Sequence, residues 1–193
     1  MDMMTEQIEI EYKTLLTHAQ FAVIKAKYAP EKNAFVQENY YFDTPDFRLK
    51  QLQCGLRIRT FEEGGECTLK TPLKDGLLET TDLLSLEQAQ TLLQAKTILP
   101  HGSVAQKLVQ LGIQPDQVRL LADLKTARIQ IDLPIGELAL DESWYGKNHD
   151  YELELEVSEA SKGKQDFLDL LAEFGIRYQP AKNKIVRAFE AIV

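Results

Sequence analysis

Cysteine, histidine and glycine-rich loops are all scarce in this sequence, and each scarcity argues against a class of site. The two cysteines, Cys54 and Cys67, each lie near a predicted strand, and we interpret them as free thiols that behave as small hydrophobes. The three histidines have no His-x-x-x-His or Cys-x-x-Cys spacing beside them, so we do not expect a zinc site. Neither of the common glycine-rich phosphate-binding patterns occurs, so any bound phosphate must be held by side chains on strands.

Long apolar segments and positive net charge are also missing. No run of about eighteen apolar residues occurs and no signal-peptide pattern opens the chain, so we expect a cytoplasmic protein without a membrane partner. The net charge of -8 makes nucleic acid a poor partner for the surface as a whole. An anion-binding site must therefore be local. The length favours a single domain over residues 1–193.

Charged and apolar residues alternate in three separate segments. Residues 8–13 read Ile-Glu-Ile-Glu-Tyr-Lys, residues 56–59 read Leu-Arg-Ile-Arg, and residues 151–157 read Tyr-Glu-Leu-Glu-Leu-Glu-Val. Because side chains alternate between faces along a strand, each segment predicts a strand with a charged face and an apolar face that is buried, including Ile8 in the first. One such strand is an ordinary half-buried strand with a solvated side. Three together predict a common charged interior.

Other patterns predict further strands and several helices. The strands are expected at about 7–15, 35–42, 55–61, 66–71, 77–84, 118–132, 136–143 and 150–158. Capping-box signals at Thr17, Ser85 and Ser103, each with Gln three residues later, predict helices at about 18–28, 86–95 and 104–111. The last two form a helical insertion over about 86–112, and C-terminal helices are expected within about 162–192. Gly64 and Gly65 predict a tight hairpin with positive φ angles.

Short motifs along nearly the whole chain occur in the order typical of one family. Glu9-x-Glu11-x-Lys13 opens the chain, and the later motifs are Tyr40 to Pro45, Leu56-Arg57-Ile58-Arg59, Thr68-Leu69-Lys70, Leu140-Asp141, Glu154-Leu155-Glu156 and Asn183-Lys184. This ordered set resembles the CYTH superfamily, the triphosphate tunnel metalloenzymes, and is most similar to their small bacterial single-domain members. The resemblance implies an eight-stranded antiparallel β-barrel with a charged lumen, flanked by helices. The residues alone indicate only an α+β fold with a mainly antiparallel sheet.

Six cations form the predicted substrate-binding set. Strand parity gives Lys13, Arg57, Arg59 and Lys70 the same lumen-facing side, and the resemblance adds Arg128 and Lys184. Such a set suits a triphosphate, because the guanidinium fork pairs with phosphate oxygens. Family members often carry a lysine two residues before the later arginine. Here Lys125 stands three before Arg128 and is expected to face outward unless a β-bulge resets the parity.

Carboxylates share the predicted lumen and form the metal-binding set. Its members are Glu9, Glu11, Asp141, Glu154 and Glu156, with Glu79 and Glu152 as further candidates. Glu79 could equally be a solvated strand residue, and the resemblance favours Glu154 and Glu156 over Glu152. Carboxylates would repel a phosphate unless a divalent cation lay between them. Hard oxygen ligands without histidine or thiolate indicate Mg²⁺ or Mn²⁺.

The resemblance implies a metal-dependent triphosphatase acting on inorganic triphosphate or on a small organic triphosphate, with Lys13, Arg57, Arg59 and Glu154 as the catalytic residues. A class IV-type adenylyl cyclase that makes cyclic AMP from ATP is the first alternative. A non-catalytic polyphosphate- or nucleotide-binding regulatory module is the second, although a simple anion binder has little need for so many carboxylates. A structural alternative also remains for the arginines, in which Arg57 and Arg59 pair with Glu9 and Glu11 in a salt-bridge ladder.

Overall fold

Eight antiparallel strands close into a barrel in the computed structural model, which describes residues 5–192. The predicted fold class is confirmed, while the outermost residues of the predicted 1–193 domain lie outside the described residues. The strands are β1 (Thr5–Leu16), β2 (Phe35–Asp43), β3 (Gly55–Phe61), β4 (Gly64–Pro72), β5 (Leu77–Leu84), β6 (Arg119–Leu133), β7 (Gly136–Tyr145) and β8 (Asn148–Val157).

The first strand closes the barrel by pairing with two partners in succession. The order around the barrel is β1-β5-β4-β3-β2-β6-β7-β8. The first half of β1 pairs with β5, ending at Glu9 opposite Leu77, and its second half pairs with β8, beginning at Ile10 opposite Val157. Closure of this kind leaves no unpaired strand edge.

Helices cover the outer, apolar faces of the strands. They are α1 (His18–Tyr28), α2 (Arg48–Gln51), α3 (Leu86–Ala95), α4 (Ser103–Gln110), α5 (Ala160–Glu173) and α6 (Lys184–Glu190), with a 3₁₀ turn at Pro115–Gln117. Helices α3 and α4 pack over β3, β4 and β5 in one hydrophobic cluster, and α1 and α5 pack over β7 and β8 in a second. The prediction that Ile8 is buried was wrong, because its side chain is 58% exposed on the outer face of β1. No described helix has the length and apolar composition needed to cross a membrane.

Two of the three predicted helix caps are confirmed. Thr17 and Ser85 each form a capping box at the start of α1 and α3. The third prediction was wrong, because Ser103 is the first residue of α4 and not its cap. The carboxylate of Asp82, on β5, instead accepts hydrogen bonds from the backbone amides of Ser103 at 2.9 Å and Val104 at 2.9 Å.

The hairpin between β3 and β4 turns two residues earlier than predicted. Gly64 pairs with Phe61, so the turn consists of Glu62 and Glu63, and neither glycine has a positive φ angle. Gly65 is needed for close packing instead. A Cβ atom there would lie 2.9 Å from the Arg59 carbonyl oxygen and 3.1 Å from Ala89 of α3.

The short last helix, α6, fills one end of the barrel. Its Ala188 and Phe189 form a buried cluster with inward-facing residues of three strands, among them Tyr41, Leu124 and Tyr145. Phe189 meets Tyr41 edge to face, with the ring centroids 6.4 Å apart. The lumen therefore has one end closed by apolar packing, and the charged residues line the remaining space.

Candidate active site

A cavity of about 670 Å³ occupies the lumen, and all eight strands contribute to its lining. The six predicted cations line it: Lys13, Arg57, Arg59, Lys70, Arg128 and Lys184. Five of the predicted acids do so as well: Glu9, Glu11, Glu79, Glu154 and Glu156. Asp141 and Glu152 do not line the cavity: they are completely buried and pair with Lys184 of α6. Lys125 is exposed on the outer face, as parity predicted.

The β3 side of the lumen carries incompletely balanced positive charge. Arg57 and Arg59 share one carboxylate, Glu66, at 3.5 Å and 3.6 Å, and Arg59 also donates to the Asn39 side-chain oxygen at 2.8 Å. Burial, and then the nearby Arg57 and Arg128, lower the pKa of Arg59 to about 9. The structural alternative, a salt-bridge ladder from Arg57 and Arg59 to Glu9 and Glu11, does not form. The guanidinium groups face the cavity with donors to spare.

Lysines balance the acids of strands β1 and β5. The ammonium group of Lys70 lies 2.6 Å from Glu9 and 2.6 Å from Glu79, which places Glu79 inside the lumen and not in solvent. Lys13 pairs with Glu11 on its own strand and lies opposite Glu154 of β8 in the strand register.

The opposite side of the lumen carries unbalanced negative charge around Glu156. Its register partners are carboxylates on both sides, Glu11 on β1 and Glu137 on β7. Burial raises the pKa of Glu156, and the carboxylates of Glu9 and Glu137 raise it further. No cationic side chain lies within 4 Å of Glu156 in the part of the chain that the structure describes. Like charges directly opposite one another destabilise a sheet, so this wall favours a bound cation.

A buried ionic network connects α6 to strands β6, β7 and β8. Lys184 lies 2.8 Å from Asp141 and 2.5 Å from Glu154, and it also pairs with Glu152. Arg128 donates to Asp141 at 2.6 Å and to Glu154 at 2.5 Å. Burial raises the pKa of Glu154, but these two cations outweigh that effect and hold the pKa well below its usual range.

Two groups of acids differ in how well they fit a divalent metal. Carboxylate oxygens of Asp141, Glu152 and Glu154 lie within 4.8 Å of one another, a spacing that suits metal ligands. The ammonium of Lys184 already neutralises that group, however. Glu156 faces the cavity without a cationic partner, whereas its neighbour Glu11 is paired with Lys13. The carboxylate oxygens of both are the hard donors that Mg²⁺ or Mn²⁺ prefers. The lumen therefore fits a divalent cation best on its β1–β8 side.

Some residues of the site were not predicted from the sequence. Glu66 and Glu137 line the cavity, and each shares strand parity with a predicted site residue, Lys70 and Asp141 respectively. The parity argument could have found both. Arg187 of α6 is buried and pairs with Glu152 at 2.8 Å and Asp150 at 2.7 Å. The sequence signal that could have identified Arg187 was its spacing of three residues from Lys184.

Comparison with known proteins identifies the fold and its family. A family model described as the CYTH domain matches residues 7–189. This chain belongs to the CYTH family. The predicted resemblance is confirmed over nearly the whole of the described chain.

Relatives of this CYTH protein include both sequences and solved structures. It is 38% identical over 188 residues to the Bacillus subtilis protein named "Putative triphosphatase YjbK", and the match covers 97% of each chain. A structure from Bacillus halodurans, described as a putative adenylate cyclase, is 37% identical with a TM-score of 0.89 and covers 95% of this chain and 98% of its own. The Hippeastrum protein HpAC1, described as a putative adenylyl cyclase with a dominant triphosphatase activity, shares the fold at 23% identity and a TM-score of 0.78, over 95% of this chain and 96% of its own.

Proposed function

We propose that this CYTH protein is a divalent-metal-dependent triphosphatase. It hydrolyses the phosphoanhydride bond of inorganic triphosphate, giving pyrophosphate and phosphate, or that of a small organic triphosphate, giving the diphosphate and phosphate. A single domain over the whole chain and a cytoplasmic location belong to the same proposal.

The separation of charge across the lumen carries this proposal. Arg57 and Arg59 lack full counter-charge on one side, whereas Glu156 stands among carboxylates on the other. A polyanion together with a divalent cation balances both sides at once. Neither a phosphate alone nor a metal alone would do so, because each would leave the opposite charge uncompensated in a partly buried cavity.

The cations bind and orient the phosphates. Arg57, Arg59 and Arg128 offer planar donors that fix phosphate oxygens in position, and Lys13 and Lys184 add charge beside Glu154. Phosphoryl transfer gains most from such positioning and from stabilising the charge that develops on the transferred group and the leaving group. No side-chain nucleophile is required, because water attacks the phosphorus atom.

The carboxylates Glu9, Glu11, Glu154 and Glu156 hold Mg²⁺ or Mn²⁺ in this proposal, and Asp141 supports Glu154 through Arg128 and Lys184. A bound divalent cation supplies charge neutralisation on phosphate oxygens and a lowered pKa for the attacking water. The Bacillus subtilis relative is named "Putative triphosphatase YjbK", which supports the same reaction class.

Phosphate release from tripolyphosphate and ATP, measured with Mg²⁺, with Mn²⁺ and in excess chelator, tests the proposal. We expect release only with metal. Cyclic AMP is assayed in parallel because the Bacillus halodurans relative is described as a putative adenylate cyclase. Cyclic AMP as the main product, with tripolyphosphate left intact, would replace the triphosphatase by the cyclase.

The metal assignment has its own test. Glu156→Gln should raise the metal concentration needed for half-maximal activity, because one oxygen ligand with full charge is lost. Glu6→Gln, on the outer face of the same sheet, is the matched control and should leave it unchanged. An unchanged metal requirement in Glu156→Gln would remove this residue from the metal site.

A further inference from the structure

A buried amide side chain lies beside Arg59 at the wall of the lumen. Asn39 is the register partner of Arg59 on β2, and its side chain is only 1% exposed. The amide oxygen accepts a hydrogen bond from Nε of Arg59 at 2.8 Å, and this oxygen must face Nε because arginine can only donate. The Nδ2 group of Asn39 has no hydrogen-bond partner in the part of the chain that the structure describes. The hydrogen-bonding capacity of this amide is therefore only partly used.

A folding role alone does not account for an amide at this position. A buried donor without a partner destabilises a protein relative to an apolar side chain of similar shape. The other register partner of Asn39 is Leu124 on β6, which belongs to the buried apolar cluster around Phe189. An apolar residue at position 39 would extend that cluster. The hydrogen bond to Arg59 is the contribution that only a polar side chain makes.

The neutral charge of Asn39 is as important as its position. Within the described residues, the one carboxylate within 4 Å of Arg59 is Glu66, at 3.6 Å, and Glu66 is shared with Arg57. An amide oxygen fixes the plane of a guanidinium without cancelling its charge, whereas a carboxylate would do both. Arg57 differs, because its Nε has no hydrogen-bond partner among the same residues. Arg59 is thus the oriented member of this pair of arginines.

We propose that Asn39 is the positioning residue of Arg59: it holds the guanidinium in one orientation and leaves its charge free for the triphosphate. This inference rests on the proposed function and deepens it, since it gives a neutral residue of β2 a part in phosphate binding. Asn39 is not among the residues that line the cavity. It therefore acts through the arginine and does not touch the substrate.

Asn39→Leu removes the amide at a similar side-chain volume. Calorimetric titration with tripolyphosphate and Mg²⁺ at pH 7.5 should give binding about ten- to a hundredfold weaker than in the wild type, because one hydrogen bond to a charged group is lost. The melting temperature without ligand should stay close to that of the wild type. In an Arg59→Ala background the same substitution should weaken binding little further. No loss in the wild-type background, or an equal loss in both backgrounds, would overturn the inference.

Asn39→Asp keeps the shape of the side chain and adds a charge. The pKa of Arg59 is about 9, lowered by burial and by Arg57 and Arg128, against the opposing effects of Glu66 and Tyr41. A carboxylate at position 39 would raise this pKa and neutralise the guanidinium, so triphosphate binding at pH 7.5 should weaken. The fall in affinity at alkaline pH should begin at least about one pH unit higher than in the wild type. Wild-type affinity with an unshifted pH profile would contradict the positioning role, since a purely structural residue would not move that profile.

Thr80→Val is the matched control for the loss of a buried polar group. Thr80 lies on the outer side of β5, is 2% exposed, and its hydroxyl also lacks a partner among the described residues. Its replacement should leave the dissociation constant unchanged. A loss of affinity equal to that in Asn39→Leu would assign the effect to loosening of the barrel and overturn the inference.

Failure of the proposed function would be recognised separately, as absent phosphate release by a wild type that still binds tripolyphosphate. The comparison of affinities would then still decide the role of Asn39. A wild type that binds no tripolyphosphate would overturn both proposals.

Discussion

Side chains at alternate positions on the strands determine the charge inside the barrel. Glu9 of β1 and Glu79 of β5 share the ammonium of Lys70, whereas Arg59 pairs with Glu66 only at 3.6 Å. The charge of the lumen residues is therefore well balanced at some positions and poorly balanced at others. Residues without a balancing partner are the ones at which ligand binding has the most to gain.

Arg57→Ala and Arg59→Ala should each reduce kcat/KM for the triphosphate by about thirty- to a thousandfold, since one charged contact at such a site contributes roughly 2–4 kcal/mol to transition-state binding. Steady-state kinetics measure the loss, and thermal unfolding of the same variants is the control. The fold should lose little stability, because these guanidinium groups have weak partners. Wild-type kinetics with a lowered melting temperature would instead make the arginines structural.

The depressed pKa of Arg59 predicts weaker triphosphate binding in alkaline solution. When no triphosphate is bound, the pKa of Arg59 is about 9. A bound polyanion favours the charged guanidinium, so above pH 9 binding of the triphosphate requires uptake of a proton. The affinity should be constant below pH 8 and then fall, approaching tenfold per pH unit above 9. Calorimetric titration with Mg²⁺ between pH 7.5 and 10.5 measures this slope. Arg59→Ala is the control, and an identical slope in that variant would assign the titration to another group.

Much of the residue-level site is predictable because long strands keep a strict period of two. The same rule correctly placed Arg57 and Arg59 inside and Lys125 outside. Which charged side chains pair with one another is not predictable in this way. Glu9 meets Lys70 although β1 and β4 are separated by β5, and no local pattern encodes which strands become neighbours.

At the scale of elements, α6 both closes the barrel and delivers Lys184 to the acids. Arg187 fixes the helix against Glu152 and Asp150 of β8, and Tyr145 donates to the same Asp150 at 2.6 Å. The position of the lysine in the lumen thus depends on a second, buried ion pair further along the helix.

Arg187→Ala should lower the free energy of unfolding by about 3–5 kcal/mol, because it leaves the buried carboxylate of Glu152 without one of its two cations. Urea denaturation measures the change. Lys182→Ala is the matched control: its pair with Glu190 is exposed and should contribute little. Similar losses in the two variants would mean that the buried network does not hold α6 in place.

The helix ends show what a sequence can and cannot specify at this scale. Thr17 and Ser85 were predictable as caps because their partners stand three residues away in the chain. The cap of α4 was not, since Asp82 reaches it from β5, about twenty residues earlier. A cap supplied by tertiary structure leaves no local signal.

For the whole molecule, tripolyphosphate with metal should stabilise the fold strongly, because the ligand relieves repulsion on both sides of the lumen. At about a hundred times the dissociation constant, binding contributes about 2.7 kcal/mol. Melting temperature against ligand concentration measures it. Lys13→Ala should show a smaller shift, whereas Lys162→Ala, an exposed lysine on α5, should keep the full one. Equal shifts in both variants would place Lys13 outside the binding site.

Closure of the barrel was predictable only through the family resemblance. Alternating patterns identified the strands, but hydrophobic periodicity is the same in an open sheet and in a closed one. The bipartite pairing of β1, first with β5 and then with β8, is a property of the complete molecule.

That bipartite pairing affects how the protein is made. Strand β1 is synthesised before β8, yet half of β1 has no partner until β8, from Asn148 onward, has been translated. At about 5–20 residues per second, the growing chain spends roughly 3–13 seconds between the end of β5 and the start of β8. During that interval Ile10 to Leu16 lack the strand with which they pair in the folded protein, and an unpaired strand edge is a template for misassociation. Nascent-chain survival should therefore depend on chaperones that protect the amino-terminal strand, and contacts so distant in sequence should make refolding slow.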